Sequence, residues 1–144
     1  MKKFILTDET IEMFGVTLHR IKAVRSFGNV KEGDLGGFVE KEENISEHFE
    51  AWVCGNAKVC GNAEVCGDAD YIVFKNWWSS GRYFTWTRSN NMWSVGCFYG
   101  TGEELIKKAY ADSEKSGREY ERVVKFVQSI LEDEKNVKPQ KQVK

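Results

Sequence analysis

Three cysteines spaced six residues apart, Cys54, Cys60 and Cys66, are the first side chains in this sequence that could do chemistry together. Regularly spaced thiolates are candidate zinc ligands, and a structural zinc needs four ligands in a tetrahedron. The repeat that carries them argues against that role. If successive hexads occupy successive faces of a triangular coil, equivalent residues point in different directions and only those three hexads apart stack. The thiols are then expected to diverge, each beside an inward valine. Cys97, in an apolar run, reads as a small core residue. No metal and no other cofactor is expected. Of the two histidines, His19 and His48, the second lies beside the repeat and could act as general base in a hexapeptide-repeat acyltransferase. That chemistry needs several coils and an acyl-donor cleft, and the hexads are too few. An exposed structural His48 is the simpler reading. With no complete catalytic constellation, a non-enzymatic function is expected.

Two other groups of residues are suited to binding. Glu40, Glu42, Glu43, Glu47 and Glu50 crowd one short stretch, and Glu64, Asp68 and Asp70 follow. A solvated face explains such a run. So does a surface that imitates phosphate charge and docks on the basic nucleic-acid channel of a partner. Downstream, Trp77, Trp78, Arg82, Tyr83, Trp86 and Arg88, flanked by Lys75 and Trp93, interleave cations with aromatic rings and contain no acid. Such a mixture can stack bases or a nucleotide while neutralising phosphate. It can equally be a Trp-rich core with arginines on its rim. Five Trp in 144 residues exceed what a small core needs, so an exposed cluster or protein interface stays open.

These residues are placed by the repeat Ala51–Asp70, which reads AWVCGN, AKVCGN, AEVCGD, AD. Internal repetition outranks local propensity in reading a fold, and a period of six predicts a stacked, solenoid-like backbone. Val53, Val59 and Val65 should fill the interior, with Ala57, Ala63 and Ala69 where the coil narrows. Asn56, Asn62 and Asp68 should turn the corners, because Asn and Asp tolerate left-handed backbone, and Gly55, Gly61 and Gly67 relieve the same corners. The pattern predicts a short left-handed β-helix. Its few hexads cannot bury a core alone, so flanking segments or a second subunit must cap it. A homo-oligomer, a dimer by preference, is expected because a short solenoid has exposed strand edges.

Before the repeat, Phe4, Leu6, Leu18, Ile21, Ala23 and Val24 read as two short strands around Gly15. Gly36-Gly37 allows close backbone approach or positive φ, and Lys41–Asn44 reads as a polar loop. After it, YIVFKNWW, RYFTWTR and MWSVGCFYG, separated by polar turns, predict a three-stranded antiparallel meander. Thr101-Gly102-Glu103-Glu104 is a capping box that starts a helix running from about Gly102 to Ala111. A second helix should run from Ser116 or Gly117 to about Glu134, with Tyr120, Val124, Val127 and Leu131 as its apolar stripe. That stripe is expected to pack on the meander. The fold class is therefore α+β: a short hexapeptide β-solenoid followed by a small antiparallel sheet packed with two C-terminal helices. Residues 1–70 form the first domain, 71–134 the second and 135–144 a flexible tail.

The net charge of −1 excludes generic polyanion binding by the whole chain, but the charge is uneven. Residues 31–70 carry three basic and ten acidic side chains, and residues 71–100 carry three basic and none acidic. An acidic repeat followed by a basic, aromatic module is the main electrostatic signal. MKKF is not followed by an apolar run before Asp8, so neither a signal peptide nor a membrane span is expected. Four cysteines without export signals point to free thiols in a reducing cytoplasm.

The segments HRIKAVRSFGNVKEGDLGGFVEKEENIS, AWVCGNAKVCGNAEVCGDADY and VGCFYGTGEELIKK together resemble a family of phage and prophage hexapeptide-repeat proteins. These carry a GDLGGFV-type lead-in, a variable number of GNAxV hexads and a terminal module with a CF-x-GT-x-EE helix start. The likeness spans about residues 18–110. It implies a left-handed β-helix-like architecture and a phage accessory role. Members are often labelled acyltransferase-like through the repeat, and this chain lacks an acyltransferase cleft motif. In that setting host takeover or counter-defence is the natural class. The expectation is a protein that binds and inhibits a host nucleic-acid-handling complex, as anti-CRISPR inhibitors do. Glu40, Glu42, Glu43, Glu47 and Glu50 would form its acidic face. Trp77, Trp78, Arg82, Tyr83, Trp86 and Arg88 would form an aromatic, basic one. The alternative is a nucleotide- or small-ligand-binding module with the meander as stacking platform. Direct nucleic-acid binding stays open.

Overall fold

The structure, a computed structural model, describes residues 2–13, 15–48 and 50–141, without the side chains of residues 68 and 136–141. It divides into two compact units, Met1–Thr101 and Gly102–Lys144. The first contains two four-stranded sheets. Strands β1 (Phe4–Met13) and β2 (Val16–Ala23) form the hairpin around Gly15 that the alternating apolar residues predict, in register Phe4↔Ala23 and Met13↔Val16. Strand β3 (Leu35–Val39) adds antiparallel to β2, and β4 (Lys58–Val59) adds parallel to β3 through Val39↔Val59. The second sheet is an antiparallel meander of β5 (Tyr71–Lys75), β6 (Tyr83–Thr87), β7 (Met92–Val95) and β8 (Phe98–Gly100).

The expected β-solenoid is not what the hexads build. They contribute a two-residue strand, β4, an isolated parallel bridge Ile45↔Val65 and a short 3-10 helix at Asp68–Asp70, joined by turns and irregular backbone that stack on one neighbouring segment. Along that stack Gly37 N–H donates to Val53 O (2.8 Å), Phe38 N–H to Ala57 O (3.0 Å), Glu40 N–H to Val59 O (3.1 Å) and Ser46 N–H to Val65 O (2.9 Å). A solenoid would continue by laying another coil on the opposite edge. Here that edge is closed by side chains of the second sheet and of its β6–β7 turn. Lys58 N–H donates to Thr85 Oγ1 (3.0 Å), Glu64 N–H to Ser89 Oγ (2.8 Å) and Cys54 N–H to the Tyr71 hydroxyl (3.0 Å). Satisfying these donors with side chains ends the stacking and covers an edge that would otherwise template further pairing. A left-handed β-helix is therefore replaced by two sheets joined through the hexads.

The interior of the hexads follows the pattern read from the sequence except at Ala69, which is exposed because the chain leaves the stack at Asp68–Asp70 for the second sheet. Val53, Val59 and Val65 are fully buried, as are Ala51, Ala57 and Ala63, in one cluster with Phe4, Ile21, Val39 and Ile45. Each fully buried valine stabilises the fold by roughly 1.5–3 kcal/mol. The corners differ from expectation. Gly55 (φ +35°) and Gly61 (φ +67°) take the left-handed conformation, whereas Asn91 is the one non-glycine with positive φ among the described residues. Glycine carries no Cβ penalty there, so Asn56 and Asn62 are freed from that duty.

The meander also departs from expectation, with four strands instead of three. MWSVGCFYG is a hairpin whose tight turn at Gly96-Cys97 pairs Val95 with Phe98 and Ser94 with Tyr99. Cys97 sits in that turn and is exposed, so it is not a core residue. Within the meander Phe84, Trp86 and Trp93 are buried. Phe74 stacks on both Phe84 (5.5 Å between centroids) and Trp93 (5.9 Å).

The second unit consists of α1 (Gly102–Asp112) and α2 (Glu114–Lys141) packed on each other. Helix α1 begins where the capping box places it. Of the predicted stripe Tyr120, Val124 and Val127 are buried and Leu131 is half-buried. Helix α2 runs past its expected end, through the residues expected as tail, to Lys141. Residues 142–144 of that tail lie outside the described residues. No helix among the described residues is long and apolar enough to cross a membrane.

Candidate functional site

The acidic residues do not form one continuous face. Glu42, Glu43, Glu47 and Glu64 converge with His48 around a depression of about 320 Å³. The backbone beneath them is rigidly held by Asn44, which is fully buried. Its Oδ1 accepts from the N–H groups of Glu40 and Lys41, and its Nδ2 donates to the carbonyls of Gly61 and Ala63. Glu42 pairs with Lys2 (2.7 Å) and Glu47 accepts the Lys3 N–H (3.2 Å). The Glu43 and Glu64 side chains make no ion pair among the described residues. Glu40 is turned to a structural task, since its Oε1 accepts the Gly61 N–H at 2.7 Å. Glu50 lies on a different depression with Trp52, Cys54 and Cys66.

The cysteines are arranged differently from the expected divergence. Cys54 and Cys66 line that second depression together, whereas Cys60 is buried with its sulfur 3.5 Å from Ser94 Oγ. The hexads do not trace a regular triangle, so the first and third thiols return to one side. Burial raises the Cys60 thiol above its ordinary pKa, and desolvation with Glu64 and Asp70 does the same for Cys66. Neither is thus a ready thiolate at neutral pH. Among the described residues no three His, Cys, Asp or Glu side chains gather as a metal site.

The aromatic and basic residues separate into two groups. Trp86 is fully buried, and its Nε1–H donates to Asn91 Oδ1 (2.7 Å). Arg88 is engaged beside it, donating to the Ala69 carbonyl (2.9 Å) and lying 5.5 Å over the Trp86 ring. Trp77 (65% exposed) and the half-buried Trp78 meet edge to face on the hairpin tip. The Asn76 side chain orders this tip by accepting from the N–H groups of Trp78 and Ser79. Arg82 and Tyr83 follow on the return strand, both exposed.

Arg82 and Tyr83 line a pocket of about 380 Å³ with Lys58, a residue that the sequence did not single out. Lys58 occupies the variable second position of its hexad, where the other hexads carry Trp52 and Glu64. A lone cation at that position was the available signal. Desolvation and then the nearby Arg82 charge hold the Lys58 amine below its ordinary value.

The chain matches no protein-family model, no curated protein and no solved structure, so its surfaces are interpreted from their own geometry.

Proposed function

We propose that this chain is a non-enzymatic binding protein of the phage-accessory kind, which docks an acidic surface on a host nucleic-acid-handling complex and inhibits it in the manner of an anti-CRISPR protein. The observation that carries the reading is the convergence of Glu42, Glu43, Glu47 and Glu64 on one depression. The buried Asn44 holds the loop backbone that carries Glu42 and Glu43 against the third hexad, so a basic partner would order side chains on an already fixed backbone. Complementary charge of this kind speeds encounter and selects partners. Four free cysteines fit work in a reducing cytoplasm.

The test is capture from bacterial host lysate on the immobilised chain, at low and moderate salt, with heparin as competing polyanion. The expected result is retention of a nucleic-acid-binding complex that heparin and salt release, and its loss when Glu43 and Glu64 are changed together to lysine. Equal retention by the charge-reversed variant would overturn the proposal.

A further inference from the structure

Away from the acidic depression, and independently of that reading, the β1–β2 hairpin end, the second hexad and the second sheet enclose a pocket whose charges are uncompensated. Lys58 and Arg82 both line it. The Lys58 backbone is fixed from two sides, by the pairing Phe38↔Lys58 and by its N–H bond to Thr85 Oγ1. Because side chains alternate along a strand, the inward Val59 sends Lys58 outward into the pocket. Arg82 is fixed through its carbonyl, which accepts the Asn76 N–H at 2.8 Å. Its guanidinium reaches over the β7–β8 turn, where a Cβ built on Gly96 would lie 3.9 Å from Nη1. Neither cationic head has a hydrogen-bonded or ion-paired partner among the described residues.

Lys58 is half-buried and Arg82 exposed on the same pocket wall, and two like charges facing one depression repel unless an anion joins them. The rest of the pocket defines which anion. Ile11 and the exposed Tyr83 ring offer apolar and aromatic surface, and Asn56 a polar side chain. Glu12 is the one carboxylate on the rim, and its Oε2 already accepts the Thr17 hydroxyl at 2.6 Å. A single acid on the rim opposes a long polyanion but leaves room for one compact anionic group. The volume of about 380 Å³ is at the small-molecule end of ligand pockets, which span roughly 300–1,000 Å³.

From this geometry we infer that Lys58, Arg82 and Tyr83 form a site for a small organic phosphate monoester, with the phosphate between the two cations and a planar body against Tyr83. Arg supplies a two-pronged donor for phosphate and Lys a point charge. The reading differs from the acidic dock in surface, sign of charge and size of ligand.

The experiment is isothermal titration calorimetry on the full chain with phenyl phosphate, inorganic phosphate, phenol and a single-stranded oligothymidylate. Phenyl phosphate is expected to bind more tightly than inorganic phosphate, and phenol not at all. Lys58→Met and Arg82→Gln should each weaken phenyl phosphate by about tenfold or more, the loss of one charge-assisted contact. Tyr83→Leu should weaken phenyl phosphate while leaving inorganic phosphate unchanged. Thermal melts without ligand serve as the folding control, and Lys58→Met should melt no lower than the parent chain. Absence of heat with both phosphates, equal binding by the Lys58 and Arg82 variants, or tighter binding of the oligothymidylate would overturn the inference.

Discussion

Gly37 donates its backbone N–H to the carbonyl oxygen of Val53 at 2.8 Å, and a Cβ built on Gly37 would lie 2.6 Å from the Ala57 carbonyl oxygen. The lead-in and the hexads can therefore stack only because position 37 has no side chain. Gly36 is equally confined, with Val53 O 2.5 Å from its would-be Cβ. The obstructing atoms are backbone and cannot rotate away. Gly37→Ala is expected to destabilise the first unit by about 1–3 kcal/mol through overpacking. Urea unfolding followed by tryptophan fluorescence checks this, and an unchanged midpoint would show that the two segments can separate freely.

Asn44 makes the complementary prediction for polar contacts. Removing its amide in Asn44→Ala leaves the N–H groups of Glu40 and Lys41 and the carbonyls of Gly61 and Ala63 without their side-chain partner. Leaving buried polar groups unsatisfied costs about 1–3 kcal/mol each, and partial hydration at the loop reduces the total. A loss of about 2–4 kcal/mol is expected from equilibrium unfolding. Hydrogen exchange should quicken first at Lys41, since the Glu40 N–H keeps its bond to the Val59 carbonyl. Uniform exchange across the whole first unit would instead indicate global loosening.

Asn44 also shows where the sequence was opaque. Within EKEENIS it is one polar residue among several, and nothing local distinguishes a buried staple from a loop side chain. Its partners at Gly61 and Ala63 are distant in sequence. The hexad interior was legible because a Val and Ala repeat has one way to hide its methyl groups, and Gly36-Gly37 was legible as close approach. The end of the stack was not, because the groups that close it, Tyr71, Thr85 and Ser89, belong to a later sheet and its turn. The turn at Gly96-Cys97 was hidden by an apolar run that fits one strand as well as two. Of the two proposed surfaces, the acidic one draws Glu42, Glu43 and Glu47 from one visible run but gains Glu64 only through the fold, as Lys58 gains Arg82.

Lys3 and Lys58 predict a pH dependence with a definite sign. Burial holds both amines below the ordinary lysine value of 10.5. The folded chain thus releases these protons more readily than the unfolded chain. The resulting penalty is fully present below the folded-state values and is relieved as pH rises through them toward 10.5. Stability should therefore rise on the alkaline side of neutrality relative to Lys58→Met, which lacks one of the two groups. Paired urea titrations from pH 7 to about 10 measure the difference. A gap between the two proteins that stays constant with pH would mean that Lys58 is as well solvated in the fold as outside it.

The helical unit has its own test at the junction of α1 and α2. The Tyr110 hydroxyl donates to Glu121 Oε1 at 2.6 Å, and the α2 backbone at Gly117 lies so close that a built Cβ would be 2.2 Å from the Tyr110 ring. Helix propensity alone says that alanine at Gly117 should stabilise α2 by about 1 kcal/mol. The contact with Tyr110 says the opposite, since the ring must swing away and surrender its bond to Glu121. Gly117→Ala is expected to lower the helical signal on thermal melting, whereas Gly117→Ala combined with Tyr110→Ala should recover part of the propensity gain. The same bond sets a pH window. The Tyr110 hydroxyl and then Lys125 hold Glu121 below its ordinary range, and Glu121 raises Tyr110. The stabilisation from Glu121 is present above its unfolded value of 4.5 and lost as pH falls through the depressed one. That from Tyr110 is present below 10.0 and lost as pH rises through the raised one. Tyr110→Phe should abolish the alkaline dependence and reduce the acid one to the part that Lys125 supplies, read by helical circular dichroism across that range. An acid-side slope unchanged from the parent chain would refute the bond as a source of it.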